Sequence, residues 1–223
     1  MDFKIVGRAL VGGNVSPHVV RIRDGFISEV DRLDGSSPPA DSILLEPSQI
    51  LVPGGIDMLA AFRDWGEVIR DTVETVTKAA LSAGVTLVCD QPNTMPRINT
   101  PELVQKRGAL AAEHSYTDFG ITAHPPVVRT RLPEYRDAGA FSVTLFSWDL
   151  RPWNEPRDTD DSRALFESIA SQGFSALIFV DDHALRETVL VDESETYGLK
   201  ALLRRLPADL KVRLFVTLPD SVE

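Results

Sequence analysis

Four side chains that could bind a metal ion fall near the ends of predicted strands: His124, Asp181, Asp182 and His183. Two histidines and two carboxylates are a sufficient ligand set for zinc. Their spacing matches no independent metal-binding motif, however. His124 precedes Pro125-Pro126, and the acidic pair begins a predicted helix, where the helix dipole favours carboxylates without any metal. A rebuilt metal site and an ordinary structural role are both open for these residues.

The other reactive side chains do not form a recognisable catalytic group. Cys89 lies in an apolar run and is expected to be an inert core thiol. Ser142 has no histidine pattern near it, so a Ser-His-Asp site has no support. His18 and His114 are isolated on predicted surface elements, where a solvated histidine is expected.

A polar loop from Ser147 to Asp161 is rich in proline, tryptophan, aspartate and arginine. Tryptophan and arginine are enriched at the energetic centres of protein interfaces, so the loop could anchor a partner. It could equally be a loop packed down by its own aromatic residues. The residues concerned are Trp148, Arg151, Trp153 and Arg157.

Composition narrows the class of protein. The chain has 223 residues, of which 43% are apolar and 25% charged, the values of a globular domain. Its net charge of −10 disfavours nucleic acid and anionic membranes as partners. A single cysteine excludes an internal disulfide. The N-terminal segment alternates like a strand and resembles neither a signal peptide nor a membrane anchor, so we expect a cytoplasmic protein.

The segment from Ile50 to Pro96 has the pattern of a β-α-β unit. An apolar run, Ile50–Ile56, predicts the first strand, and the β-branched run Val85–Cys89 predicts the second. Between them lies an apolar stripe with helical spacing that ends before Gly84. The stripe consists of Ile69, Val73, Val76 and Ala80. Such a unit implies a parallel sheet with functional loops at the carboxyl ends of its strands.

Two domains are expected. Residues 1–50 predict a small, sandwich-like β domain, with a hairpin signal at Asp24-Gly25. Residues 51–223 alternate strand and helix patterns and contain six predicted strands. The last four are Asp118–Ala123, Phe141–Phe146, Ala176–Val180 and Val212–Leu218. Since a closed barrel needs eight strands, the expected α/β fold is an incomplete TIM-like (β/α) barrel, truncated after strand six.

Two motif segments stand in register within this region. In the first, Pro53-Gly54-Gly55-Ile56-Asp57-Met58 is followed by Arg63 and Gly66; in the second, Gly84-Val85-Thr86 is followed by Pro92-Asn93-Thr94. This pattern resembles the dihydroorotase, hydantoinase and allantoinase branch of the amidohydrolase superfamily, and dihydroorotase most closely. The resemblance implies a barrel of the metal-dependent hydrolase type, preceded by a small β domain.

The chemistry of that family requires two divalent metals, typically zinc, held by histidines, an aspartate and a carbamylated lysine. The ligand positions that can be placed by the resemblance carry Leu59, Ala61, Thr144, Val180 and Phe215. Leucine and alanine have no atom that could bind a metal. The resemblance therefore implies a chain without the metal ligands and without a metal cofactor.

Arg63 and Asn93 fall on the positions at which the family holds the carboxylate of its substrate. An arginine fork beside an amide donor suits a planar carboxylate. The structural alternative is that Arg63 pairs with Asp57 or Asp64, and that Asn93 stabilises the turn before Pro96.

The resemblance favours a catalytically inactive dihydroorotase-like protein that serves as a structural or regulatory subunit. Inactive dihydroorotase-like chains of pyrimidine biosynthesis assemble with aspartate transcarbamoylase, which is the implied partner; a homo-oligomer is the other. The alternatives are an active cyclic-amide hydrolase with unusual metal ligands, and a sensor that binds a carboxylate ligand through Arg63 and Asn93.

Overall fold

The structure is a computed structural model that describes residues 2–126, 128–146, 159–181 and 206–217. It divides into two compact units, Met1–Gly54 and Gly55–Glu223. Residues 147–158 of the predicted polar loop lie outside the described residues, and with them Trp148, Arg151, Trp153 and Arg157. Among the described helices, none has the length and apolar character needed to span a membrane.

The first unit is a four-stranded sheet with the strand order β3-β2-β1-β4. Its strands are β1 (Phe3–Val11), β2 (Asn14–Arg23), β3 (Phe26–Arg32) and β4 (Ser42–Leu44). The hairpin predicted at Asp24-Gly25 is confirmed, because both residues have positive φ, 50° and 82°, as a tight turn between twisted strands requires. Leu51 adds a bridge beside Ala9, so the chain stays with this sheet past residue 50.

The second unit is a six-stranded parallel sheet in the order β10-β9-β8-β7-β6-β5. The strands are β5 (Gly55–Ala60), β6 (Val85–Asp90), β7 (Asp118–Ala123), β8 (Ala140–Phe146), β9 (Ser175–Asp181) and β10 (Val212–Thr217). The helices are α1 (Val73–Ser82), α2 (Pro101–His114), α3 (Glu134–Asp137) and α4 (Thr159–Ser171). Parallel strands in sequential order, with helices in the connections, confirm the predicted (β/α) barrel class, here with six of the eight strands of a closed barrel among the described residues.

Two predicted boundaries near the first motif were wrong. The run Ile50–Ile56 is not one strand, because β5 begins only at Gly55. The predicted helix stripe also began too early, since Ile69 is 96% exposed and precedes α1. The helix starts after Thr72, whose side chain forms a reciprocal capping box with Thr75. Spacing alone therefore missed the cap that fixes the first turn.

Helix α2 begins with a side-chain cap and a proline. The hydroxyl of Thr100 accepts a hydrogen bond from the backbone N–H of Leu103, and Pro101 occupies the first turn, where its missing N–H costs nothing. The predicted polar loop ending at Asp161 was too long, because α4 already starts at Thr159.

A hydrophobic core fills the space between the sheet and its helices. Alternate strand residues, such as Val88, Ile121 and Val143, are buried in the same cluster as Tyr135 and Phe166. Residues at the intervening strand positions, including Thr122 and Thr144, are buried but do not belong to this cluster. Because side chains alternate along a strand, these positions face the opposite, inner side of the sheet.

Candidate functional site

An open cleft of about 620 Å³ lies beside the carboxyl ends of the first strands of the parallel sheet. It is lined by residues that follow β5 and β6, together with the end of β7 and of β8. The lining residues are Arg63, Trp65, Gly66, Glu67, Pro92, Asn93, Thr94, Met95, Arg97, His124 and Phe146. A cleft at this edge is where parallel α/β sheets place their ligand sites. We call it the strand-end cleft.

Arg63 and Asn93 come together in the strand-end cleft. The Nη1 of Arg63 donates a hydrogen bond to the backbone oxygen of Asn93, at 3.2 Å, and lies 2.8 Å from the Glu67 carboxylate. Glu67 is thus the carboxylate partner of Arg63, rather than Asp57 or Asp64. The carboxylate of Asp57 accepts from the backbone N–H of Leu59 instead.

The positions assigned to metal ligands by resemblance are spread over four strands. Leu59 lies in β5 with 41% of its surface exposed, and Ala61 follows directly after that strand. Thr144 is fully buried in β8. Val180 and Phe215 lie in β9 and β10. Among the residues that the structure describes, no three His, Cys, Asp or Glu side chains converge as a metal site would require.

The hydroxyl of Thr144 is engaged in hydrogen bonds on the inner side of the sheet. It donates to Oε1 of Gln91 at 3.0 Å, and lies 3.3 Å from the hydroxyl of Thr122. Gln91 in turn donates through Nε2 to the backbone oxygen of Met58 in β5, at 2.8 Å. The hydroxyl of Thr122 donates to the backbone oxygen of Asp90 at 2.6 Å. The strands β5, β6, β7 and β8 are therefore joined by side-chain hydrogen bonds as well as by those of the backbone.

On the helix side of the same strand ends lies a fully buried ion pair. The Nε of Arg107, in α2, lies 2.6 Å from Oδ2 of Asp90, at the end of β6, and neither side chain is exposed. The other carboxylate oxygen, Oδ1, accepts from the backbone N–H of Phe62 at 2.8 Å, while Nη2 of Arg107 donates to the backbone oxygen of Phe62. The pair therefore fixes both polar backbone atoms of the residue before Arg63.

Two further contacts extend this ion pair into the loop after β5. The guanidinium of Arg107 lies 5.0 Å from the ring centre of Trp65, one of the residues lining the cleft. Its Nη1 lies 3.9 Å from Oδ2 of Asp64, which is too long for a hydrogen bond. That Asp64 oxygen accepts from the backbone N–H of Val73, at the start of α1. The loop between β5 and α1 is thus held at its start by the contacts of Phe62 and at its end by the hydrogen bond between Asp64 and Val73.

Burial sets the titration of Asp90. Desolvation raises the pKa of this carboxyl group to about 6, against the opposing charge and hydrogen bond of Arg107 and the N–H of Phe62. The nearby Asp64 carboxylate acts in the same direction as burial. A carboxylate inside the protein is costly even when paired, because the pair must replace the water that both ions lose.

His124 lines the strand-end cleft. Its ring is buried and lies 5.4 Å from that of Phe146, measured between centroids. Its backbone is held by Ile98, whose oxygen accepts from the His124 N–H, and by the hydroxyl of Tyr135. Asp181 is the last residue of β9, while Asp182 and His183 lie outside the described residues.

Three other residues singled out in the sequence, Cys89, His114 and His18, do not line the strand-end cleft. Cys89 is buried in β6, and burial raises the pKa of its thiol to about 11, which keeps it protonated and unreactive. His114 is exposed at the end of α2, as predicted. The expectation for His18 was wrong: it is only 8% exposed, and its Nδ1 lies 2.8 Å from the backbone oxygen of Ser16. Its neighbours Val19 and Val20 are buried with it.

Asp90, Gln91 and Arg107 were not predicted to be important. The signal for Arg107 was present, because it occupies the buried stripe of α2 with Val104 and Ala111, where a charged residue requires a buried partner. Asp90 and Gln91 are polar residues directly at a strand end, but a single sequence does not reveal which way such side chains point.

Part of the chain is similar in sequence to curated dihydroorotases. The chain is 34% identical over 121 residues to the dihydroorotase of Thermococcus kodakarensis, a match covering 54% of this chain and 29% of that protein. It is 32% identical over 123 residues to the dihydroorotase of Pyrococcus abyssi, covering 54% and 30% respectively. The chain thus spans less than a third of the length of the curated relatives that it matches. No family model matches it.

Solved structures share the fold. The L-hydantoinase (dihydropyrimidinase) of Arthrobacter aurescens superposes with a TM-score of 0.73 at 15% identity, covering 96% of this chain and 52% of the hydantoinase. A D-hydantoinase gives a TM-score of 0.68 at 16% identity, covering 97% and 52%. Over about half of its length the chain is thus similar in sequence to dihydroorotases, and its fold is that of the hydantoinases.

Proposed function

We propose that this protein is a catalytically inactive relative of dihydroorotase that acts as a structural or regulatory subunit in the cytoplasm. One observation carries the proposal: the side chains at the assigned ligand positions do not suit a metal. Zinc binds through nitrogen, sulfur or carboxylate oxygen. Leu59 and Ala61 offer none of these, and Val180 and Phe215 are hydrocarbon side chains.

Thr144 supports the same conclusion from its surroundings. A lysine at this position would carry a carbamate able to bridge two metals, whereas the threonine hydroxyl is short, neutral and already donating to Gln91. Restoring a bridge would require a longer side chain in a fully buried position. We therefore derive no metal-dependent hydrolytic step for this chain.

The proposal predicts neither a bound metal nor hydrolysis. The purified protein, incubated with excess zinc and desalted, is expected to retain far less than one equivalent by elemental mass spectrometry. Dihydroorotate and hydantoin are expected to be hydrolysed no faster than in buffer, while an active dihydroorotase under the same conditions serves as the positive control. Stoichiometric zinc together with turnover would instead establish the active amidohydrolase, with ligands such as His124, Asp181, Asp182 and His183.

For the subunit role, we propose aspartate transcarbamoylase as the partner, with a second copy of this chain as the alternative. The resemblance to dihydroorotase supports this partner. A fold that has lost its catalytic residues can still be kept because its surface binds another protein. Light scattering after co-purification with aspartate transcarbamoylase tests this role. A monomer in solution that associates with neither protein would contradict it.

A second candidate function is a sensor for a small carboxylate, favoured by the strand-end cleft. Arg63 and Arg97 both line it, with Asn93 beside them. Arginine binds carboxylates through paired, charge-assisted hydrogen bonds. The Glu67 carboxylate already pairs with Arg63 at 2.8 Å, so a bound carboxylate would have to displace Glu67 or share the guanidinium with it.

Calorimetry with orotate, dihydroorotate and carbamoyl-aspartate tests the sensor. We expect at least one to bind, and the substitution Arg63→Met to weaken that binding roughly 10- to 100-fold, the loss typical of a charged hydrogen bond. Arg70→Met is the matched control, because Arg70 also pairs with Glu67 but does not line the cleft. No heat with any of the three ligands would refute the sensor.

A further inference from the structure

The inner side of the sheet carries a line of buried polar side chains that the proposed function leaves unexplained. Gln91, Thr122 and Thr144 are each no more than 3% exposed. Buried polar groups destabilise a fold unless they are hydrogen-bonded. A sheet interior that served only for packing would favour apolar residues here, as the helix-facing positions do.

These side chains connect strands that are not neighbours. Gln91 follows β6, and its amide group reaches the backbone oxygen of Met58 in β5 on one side and the hydroxyl of Thr144 in β8 on the other. β8 is separated from β6 by β7 in the sheet. On the inner side of the sheet, the Gln91 amide therefore contacts both outer members of the four consecutive strands β5 to β8.

The hydrogen-bond distances indicate which oxygen accepts from each of the two threonine hydroxyl groups. The single hydroxyl hydrogen of Thr122 points to the backbone oxygen of Asp90, at 2.6 Å. That of Thr144 is donated over 3.0 Å to Oε1 of Gln91, and the 3.3 Å contact between the two hydroxyls is secondary. Both polar atoms of the Gln91 amide thereby have partners, which fixes its orientation.

We infer that Gln91 and Thr144 form a side-chain bridge that fastens the carboxyl ends of β5, β6 and β8 to one another without a metal. The inference rests on the proposed function, because the bridge links the strand of Leu59 to the position of Thr144, from which metal ligands would otherwise have to come. A metal held between these two strands would have to displace the Gln91 amide. These strand ends are then held together by hydrogen bonds to one amide side chain.

A double-mutant cycle on the full chain tests the bridge. Gln91→Met removes the acceptor of Thr144 and the donor to the Met58 oxygen, and Thr144→Val leaves Oε1 of Gln91 buried and unpaired, so each is expected to lower the melting temperature by roughly 3–10 °C. The double variant leaves neither group of the bridging hydrogen bond unpaired. Its melting temperature is expected to lie roughly 2–4 °C or more above the value obtained by adding the two single shifts.

Two control variants separate the bridge from general packing. Thr117→Val changes another threonine of the same unit whose buried hydroxyl has no hydrogen-bond partner, so it is expected to leave the melting temperature nearly unchanged. Thr144→Ser retains the donor and is expected to keep most of the stability that Thr144→Val loses. This second comparison holds even if Gln91→Met does not fold. Additive shifts in the cycle, or equal losses for Thr144→Ser and Thr144→Val, would overturn the bridge.

Melting curves with EDTA separate this inference from the proposed function. Wild type is expected to melt at the same temperature with and without the chelator. A fall in the presence of EDTA would contradict the metal-free proposal, whatever the cycle shows. An unchanged melting temperature combined with additive shifts would refute only the bridge.

Discussion

Replacing Arg107 by methionine is expected to lower the free energy of unfolding by about 3–5 kcal/mol, the usual loss when one partner of a buried ion pair is removed. The substitution leaves the Asp90 carboxylate in a fully buried site without its countercharge. It also removes the donor to the backbone oxygen of Phe62. Urea denaturation followed by circular dichroism measures the effect.

Arg163→Met is the matched control for Arg107→Met. Arg163 also forms an ion pair, 2.9 Å from Glu167, but its side chain is 64% exposed. Surface pairs of this kind contribute at most about 1 kcal/mol. Similar losses for both variants would show that the buried pair has no special weight.

A second variant distinguishes the unpaired charge from lost packing. In Asp90→Asn/Arg107→Met the buried charges are both gone, while the asparagine oxygen can still accept from the N–H of Phe62 as Asp90 does. At pH 7 we expect this double variant to be more stable than Arg107→Met alone. If it were less stable, packing of the arginine chain, and not its charge, would dominate.

The second large effect is the pH dependence of stability that Asp90 produces. Because the folded pKa of about 6 exceeds the ordinary value of 3.8, the fold favours the protonated acid. The stability contributed by Asp90 is therefore complete below about pH 4 and is lost as the pH rises through 6. The expected loss is about 3 kcal/mol, from a pKa difference of roughly two units.

Comparison with Asp90→Asn isolates this titration from those of other groups. The unfolding free energy of wild type minus that of the variant is expected to decrease between pH 4 and pH 7. Arg107 and Asp64 are the charged groups facing Asp90, and both are retained in the variant. A difference that grew with pH would mean that Arg107 lowers the pKa of Asp90 and outweighs burial.

Strand positions in the parallel sheet were predictable because they depend on local pattern. β7, Asp118–Ala123, was predicted to the residue, since its apolar run is bounded by a helix end and by Pro125-Pro126. The start of β5 was not predictable in the same way. Apolar residues 50–52 looked like its beginning, but Leu51 hydrogen-bonds to Arg8 and Leu10 in the other sheet. Which sheet a short apolar run joins depends on distant residues.

The candidate site was predictable only in part. The motif frame located Arg63 and Asn93 correctly at adjacent strand ends, and the structure brings them together. It did not reveal that the partner of Arg63 is Glu67, four residues later, because Asp57, Asp64 and Glu67 all lie within six residues of Arg63 and all have the right charge. Asp57 and Asp64 are engaged instead by backbone N–H groups of Leu59 and Val73.

Asp90 serves both faces of the sheet at once. Its carboxylate faces the helix layer and binds Arg107 of α2, while its backbone oxygen accepts from Thr122 on the inner side. The two sides of the sheet are therefore not mechanically independent. A displacement of α2 would therefore act on the residue whose backbone oxygen accepts from the Thr122 hydroxyl on the inner side.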